Sequence, residues 1–194
     1  MNRTMWIILA VVIVGIFVIS GINSIPRLDE KVNASWSEVQ NQYQRRADLI
    51  PNLVETVKGY ASHEEKTLTE VVNARANATK VTLNVDQLSD PEAVKRFEQA
   101  QGALSSALSR LMAVSENYPN LKADQNFLAL QSQLEGTENR IAVARKDYIT
   151  TIQEYNTTVR TFPGLIWAHF YGAKPKANFT ATTAGAETVP AVKF

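Results

Sequence analysis

The sequence predicts an all-α protein, an elongated antiparallel bundle of long helices behind one N-terminal transmembrane helix. Three observations lead there. Residues 5–22 (MWIILAVVIVGIFVISGI) contain no charge. Beyond them, apolar residues recur at spacings of three and four through long runs, which is helical periodicity. The one run that alternates as a strand does, VTLNV at 81–85, has no partner of similar pattern, and an isolated strand is not stable. The chain accordingly divides into a head (1–4), an anchor (5–22), a bundle (24–172) and a flexible tail (173–194).

The anchor comes first. At about 1.5 Å per residue it makes roughly 27 Å of helix, close to the hydrocarbon thickness of a bilayer, so membrane lipid is the partner expected for residues 5–22. A cleaved signal peptide would also carry a basic head, here Arg3 and the α-amino group, ahead of its apolar run. This run is longer than a usual signal core, and Ile22 and Asn23 separate Gly21 from Ser24 where a small-x-small cleavage site would stand. A retained signal anchor is therefore expected. Arg3 on one side nearly balances Arg27 and Lys31 on the other, so local charge does not decide orientation. The build of export signals favours a cytoplasmic N terminus and an extracytoplasmic bundle.

Ser24-Ile25-Pro26 breaks the anchor, since proline lacks the N–H that continues a helix and restricts the residue before it. In the first bundle helix, Val32, Trp36, Val39, Tyr43, Ala47 and Ile50 form one apolar stripe. Pro51 then either kinks a continuous rod or opens a second helix, and the sequence does not separate these. A helix is expected over 52–80, with Val54, Val57, Ala61, Leu68, Val71 and Val72 on one face and Glu64 interrupting it. After an irregular stretch at 81–88, Ser89-Asp90-Pro91-Glu92 has the order of a helix start. The next helix carries Val94, Phe97, Leu104, Leu108 and Leu111 on its seam, with Ala100, Ala103 and Ala107 beside it for close approach. It ends at Asn117-Tyr118-Pro119-Asn120. From about Asp124 the last long helix keeps Phe127, Leu130, Leu134, Thr137, Ile141, Ala144, Tyr148, Ile152, Tyr155 and Val159 in rhythm until Phe162-Pro163-Gly164. That is about 55 Å of helix, and rods this long with one apolar stripe each must lie side by side. Residues 165–171 (LIWAHFY) read as a short helix that packs on the bundle end or lies at the bilayer surface.

Composition narrows the function. Twenty basic against nineteen acidic residues leave a net charge of +1, which supplies no field for steering nucleic acid. The chain has no cysteine, hence no disulfide, thiolate ligand or thiol nucleophile. His63-Glu64-Glu65-Lys66-Thr67 begins like the helical zinc motif H-E-x-x-H, but threonine occupies the second histidine position and His169 is distant. Acid pairs such as Glu64 with Glu65, or Asp147 with Glu154, occur in any charged helix, and the glycines stand singly rather than in a phosphate loop. No catalytic residue, cofactor, metal or small-molecule substrate is expected. The unusual feature is polar density inside helical stretches: Arg45, Arg46 and Asp48, then Glu138, Asn139, Arg140 and Arg145, with Glu64 between. Such groups either fix which helix faces which, through interhelical ion pairs, or present a binding surface in which guanidinium forks are favoured.

The stretch from Arg45-Arg46-Ala47-Asp48-Leu49-Ile50-Pro51-Asn52 to Gly59-Tyr60, with His63-Glu64 after it, resembles the signature of the LemA family of bacterial membrane proteins. Ala74-Arg75-Ala76 and Glu116-Asn117-Tyr118-Pro119-Asn120-Leu121-Lys122-Ala123 with Asn126-Phe127 resemble a second block. Glu138-Asn139-Arg140-Ile141-Ala142, Ala144-Arg145, Tyr148, Tyr155-Asn156 and Phe162-Pro163 resemble a third. The resemblance covers about residues 24–172. It implies a helical bundle behind an N-terminal anchor or lipoprotein signal at the bacterial inner membrane, without an established catalytic activity. Ile149 and the Gly172-Ala173-Lys174-Pro175 segment depart from the pattern, and Ile22 stands near where some relatives carry a lipidated cysteine. Because lipoproteins are exported, that comparison also favours an extracytoplasmic bundle.

Two functional classes follow. One is a non-enzymatic scaffold of the bacterial envelope that binds an envelope protein or copies of itself, since one anchor concentrates copies in a plane. The other is a sensor or regulatory subunit acting on a membrane protease or signalling kinase, motivated by the polar positions in the helices.

Overall fold

A computed structural model of the chain describes residues 3–179, apart from the side chains of Phe17 and Ser20. Helix α1 (Arg3–Ile22) is followed after a single residue by α2 (Ser24–Tyr60), then α3 (Glu65–Lys80), a 3-10 turn (Val85–Ser89), α4 (Pro91–Ser115), the short α5 (Pro119–Lys122), α6 (Gln125–Arg160) and α7 (Gly164–Tyr171). Among the described residues, which leave out the side chains of Phe17 and Ser20 in α1, there is no strand and no helix long and apolar enough to cross a membrane.

The expected starts and stops follow local chemistry. Asp90 accepts the Glu92 N–H at 2.9 Å ahead of Pro91, and Asp124 accepts the Phe127 N–H at 2.9 Å, each satisfying an amide that the first helical turn leaves free. The ten apolar-rhythm positions of α6 are the ten it buries. Every residue of the 32–50 stripe is buried too.

Pro51 lies within α2, which runs on to Tyr60, and the expected helix over 52–80 is divided at residues 61–64 instead. The proline ring is exposed, so it stays out of the packed seam. Its missing N–H leaves the Ala47 carbonyl without an intrahelical partner. Arg75 of α3 fills that gap, its Nε–H donating to Ala47 O at 2.7 Å. The break at 61–64 turns the chain so that α3 can lie against α2 and α4. It also shifts the phase of the stripe: Val71 is buried, but Val72, expected beside it, is 49% exposed. In α4, Ala107 is buried but Ala103 is exposed, so close approach occurs at one end of the alanine row only.

α2 and α6 form the antiparallel spine. Partners descend along α6 as they ascend α2: Lys31 with Glu154 at 3.4 Å, Arg46 with Glu138 at 2.8 Å, and Tyr60 with Asp124 at 2.9 Å. The pair α3 and α4 lies against this spine, and α5 closes the end distal to α1 with Leu121 fully buried. Two apolar cores result. The one nearer α1 centres on Trp36, whose ring meets Phe97, Tyr148 and Phe179 and whose indole N–H donates to Leu83 O at 3.0 Å. The distal one gathers Ile50, Leu53, Val57, Val71, Leu104, Leu111, Phe127 and Leu134.

Residues 173–179, placed by the sequence reading in a tail, run back along the bundle. Gly172 adopts φ +62°, the left-handed conformation that ends α7 and reverses the chain. Asn156 then brackets Lys176, accepting its N–H and donating to its carbonyl, both at 2.8 Å, while Ala177 N–H donates to Leu88 O at 2.7 Å. Phe179 is buried against Tyr148. Residues 180–194 of the expected tail lie outside the described residues.

The Pro51–Arg75 relation gives a prediction. Arg75→Ala should lower stability by about 1–3 kcal/mol, because a buried carbonyl loses its donor. With Pro51→Ala the backbone N–H is restored, and the same substitution should cost clearly less. A double-mutant cycle on urea midpoints measures the difference, and equal costs in both backgrounds would refute the account.

Candidate functional site

The eight polar residues singled out in the sequence separate into a buried layer and an exposed face. Arg46 is 1% exposed, although it lies among charged neighbours. Being three residues after Tyr43, it falls on the apolar stripe of α2, and so its guanidinium is carried into the bundle. There one terminal nitrogen donates to Glu138 Oε1 and Ser105 Oγ, each at 2.8 Å. The other donates to Gln101 Oε1 at 2.6 Å and to the Gln101 carbonyl at 3.3 Å. The Tyr43 ring lies over the guanidinium, 5.1 Å from its central carbon, while Nε makes no hydrogen bond. This layer lies between the two apolar cores.

A second pair stands two turns further along α6. Arg145 reaches Glu98 of α4 at 3.1 Å and covers the Phe179 ring at 4.4 Å. Glu98 is nearly fully buried, so the pair is desolvated on its acidic side. Tyr43 sits between the two arginines. Burial raises its hydroxyl pKa, and the positive charges of Arg145 and Arg46 partly oppose that rise.

The remaining candidates lie elsewhere. Arg45, Asp48, Asn139 and Arg140 are exposed. Asp48 accepts from Gln44 at 2.7 Å, one turn earlier, and Arg140 reaches back to Thr137 Oγ1 at 3.4 Å. Glu64 immediately precedes α3 without capping it through its side chain, and accepts from the Tyr118 hydroxyl at 3.1 Å, at the distal end that also carries the Tyr60–Asp124 bond. His63 precedes α3, so the H-E-x-x-H-like stretch does not lie on one helix.

Gln101, Ser105, Glu98, Thr137 and Arg75 were not among the sequence candidates for this site. Gln101 carried a signal: it occupies the empty place in the seam Val94, Phe97, Leu104, Leu108, Leu111, where a polar residue specifies register. Arg75 carried none, because its partner is a carbonyl freed in another helix.

The geometry assigns Arg46 a pairing role, with two consequences. Arg46→Ala should lower stability by about 3 kcal/mol, since Gln101 is left buried without its partner, and Glu138→Ala should cost somewhat less because Glu138 is 44% exposed. The joint change Arg46→Met with Gln101→Leu should recover most of that loss, and chemical denaturation of the three variants tests the ordering. At the distal end, the Asp124 carboxyl is held below its ordinary value by the Phe127 N–H and then by the Tyr60 hydroxyl. Its contribution is present above the ordinary carboxylate range and is lost as pH falls through the lowered value. The fall of stability with acid should therefore be shallower in Asp124→Asn, read from urea midpoints across that range.

Comparison with known proteins places this architecture. The family model described as the LemA family matches residues 35–194. Two magnetosome proteins MamQ of Paramagnetospirillum magneticum are each 26% identical over 179 residues, covering 84% of this chain and 66% of the relative. A protein LemA of Metamycoplasma hominis is 23% identical over 140 residues, covering 72% of this chain and 60% of that protein. The chain thus spans somewhat less than two thirds of the length of the relatives it matches. The matched region includes α3 to α7 and most of α2, with Arg46, Arg75, Gln101, Glu138 and Arg145 all inside it. The chain belongs to the LemA family.

Proposed function

We propose that this chain is a membrane-anchored, non-enzymatic interaction protein of the bacterial envelope, held at the inner membrane by residues 5–22 with its bundle on the extracytoplasmic side. One observation carries the reading: along α1 the described large apolar side chains from Met5 to Ile22 are exposed, save the half-buried Val18, and α1 joins α2 through the single residue Asn23. An uncharged segment of roughly 27 Å matches the hydrocarbon core of a bilayer, and lipid is the cover that such a surface requires. Membership of the LemA family supports the same assignment.

The binding surface is the outward face shared by α2 and α6. It bears Arg45, Asn139 and Arg140 in solvent, and a groove beside them is lined by Glu38, Val143 and Asp147, with Val143 largely exposed. An apolar spot ringed by opposite charges suits a protein partner, either another envelope protein or a second copy brought close by the shared membrane. The alternative, a sensor or regulatory subunit of a membrane protease or kinase, draws support from the Arg46 layer, where a buried charge separates two apolar cores.

Because the chain lacks cysteine, Val143→Cys provides a single attachment point for cross-linking in membranes. A discrete cross-linked species, lost on adding Arg140→Glu, is the expected outcome. A monomer with no captured neighbour removes the scaffold. If Arg140→Met then alters a downstream protease or kinase response while helix content by circular dichroism is unchanged, the regulatory reading replaces it.

A further inference from the structure

We infer that α7, with Phe162 before it, is an interfacial foot that lies in the headgroup region of the bilayer entered by α1 and sets the height of the bundle above it. This rests on the proposal that α1 is a membrane anchor.

The first support is where exposed apolar side chains fall. Outside α1, nine large hydrophobic residues are exposed among the described residues, and five of them lie between 162 and 171: Phe162, Leu165, Ile166, Phe170 and Tyr171. The other four stand apart from one another, Tyr60 on α2, Val72 on α3, and Leu128 and Val143 about four turns apart on α6. Single exposed residues are ordinary, but a contiguous group marks an interaction surface. Phe170 and Phe162, at 79% and 75%, are among the most exposed large apolar side chains described. Packing on the bundle end accounts for Gly164 and Ala168, which are buried, and leaves this group unused.

The second support is position. Trp167 lies so close to α1 that a Cβ on Gly21 would come within 2.0 Å of its indole nitrogen. α7 is therefore set beside the last turn of α1, where a spanning helix leaves the hydrocarbon and meets the headgroups. Aromatic residues with an apolar body and a polar tip concentrate at that depth. Tyr171 has this form and is exposed, whereas Trp167 buries its indole nitrogen against Gly21 and packs α7 on α1. Arg160 at the end of α6, Arg27 in the first turns of α2 and Lys174 just after α7 are exposed, and all lie close to α1 or α7 in the chain, as residues that meet lipid phosphate would. The occupant is thus lipid, because the surface continues the apolar surface of α1 and borders the same junction.

The test uses the full chain in vesicles of phosphatidylethanolamine and phosphatidylglycerol, with one spin label at a time on Ile13→Cys, Phe170→Cys or Leu128→Cys. Collision with oxygen, which concentrates in lipid, is compared with collision with a water-soluble nickel chelate. The expected ratio of oxygen to nickel accessibility is highest at 13, several-fold lower but well above the aqueous value at 170, and aqueous at 128. A deep label at 13 with an aqueous label at 170 overturns the foot and leaves the anchor standing. An aqueous label at 13 overturns the anchor and the foot together. A label at 170 shielded from both reagents identifies protein, a second copy, as the cover and also overturns the inference.

Discussion

Arg46 places a permanently charged group inside the bundle, and a guanidinium at that depth must find acceptors or destabilise everything around it. Its acceptors come from two helices, Glu138 from α6 and Gln101 with Ser105 from α4. Apolar stripes attract without direction and tolerate sliding by a turn. Hydrogen bonds to a planar fork do not. A shift of about 5 Å, one helical turn, would break every bond in the layer at once. The net stabilisation from such a layer is modest, because desolvation offsets most of the attraction, but wrong registers are strongly disfavoured.

The same logic explains how α2 can be so long. Thirty-seven residues pass through Pro51 without ending because the carbonyl that proline abandons is collected by Arg75 from a neighbouring helix. Two arginines thus tie α2 to the rest at consecutive residues: Arg46 reaches outward from it, and Arg75 reaches inward to Ala47. Away from this middle layer, polar bonds mark both ends of the spine, with Lys31–Glu154 towards α1 and Tyr60–Asp124 and Tyr118–Glu64 at the tip. Within the family resemblance, the stretches that look alike in sequence are those that meet here. Arg46, Ala47, Arg75 and Glu138 come from three separate blocks and form one connected centre.

Functionally, the arrangement separates structure from surface. Arg46, Glu138 and Arg145, grouped in the sequence with Arg45, Asn139 and Arg140, are engaged in ion pairs between helices, whereas the latter three stand in solvent. Near α1, residues 173–179 bind along the core by backbone bonds and Phe179, which ties the end of α7 to α6 and holds the exposed aromatic group in a defined place.

The all-helical class, the α6 seam from Phe127 to Val159 and the helix starts at 89–92 and about 124 were determined by the sequence alone, because periodicity and capping depend on residues within a turn or two of one another. Tertiary structure decided what involves distant partners. The continuation of α2 past Pro51 depends on a donor from α3. The partners that Arg46 meets, Glu138, Gln101 and Ser105, depend on which helices lie across the interface, and the docking of residues 173–179 depends on Asn156 and Leu88. Each of these is a contact between segments far apart in the chain, and a side chain's local pattern carries no record of the group that will meet it.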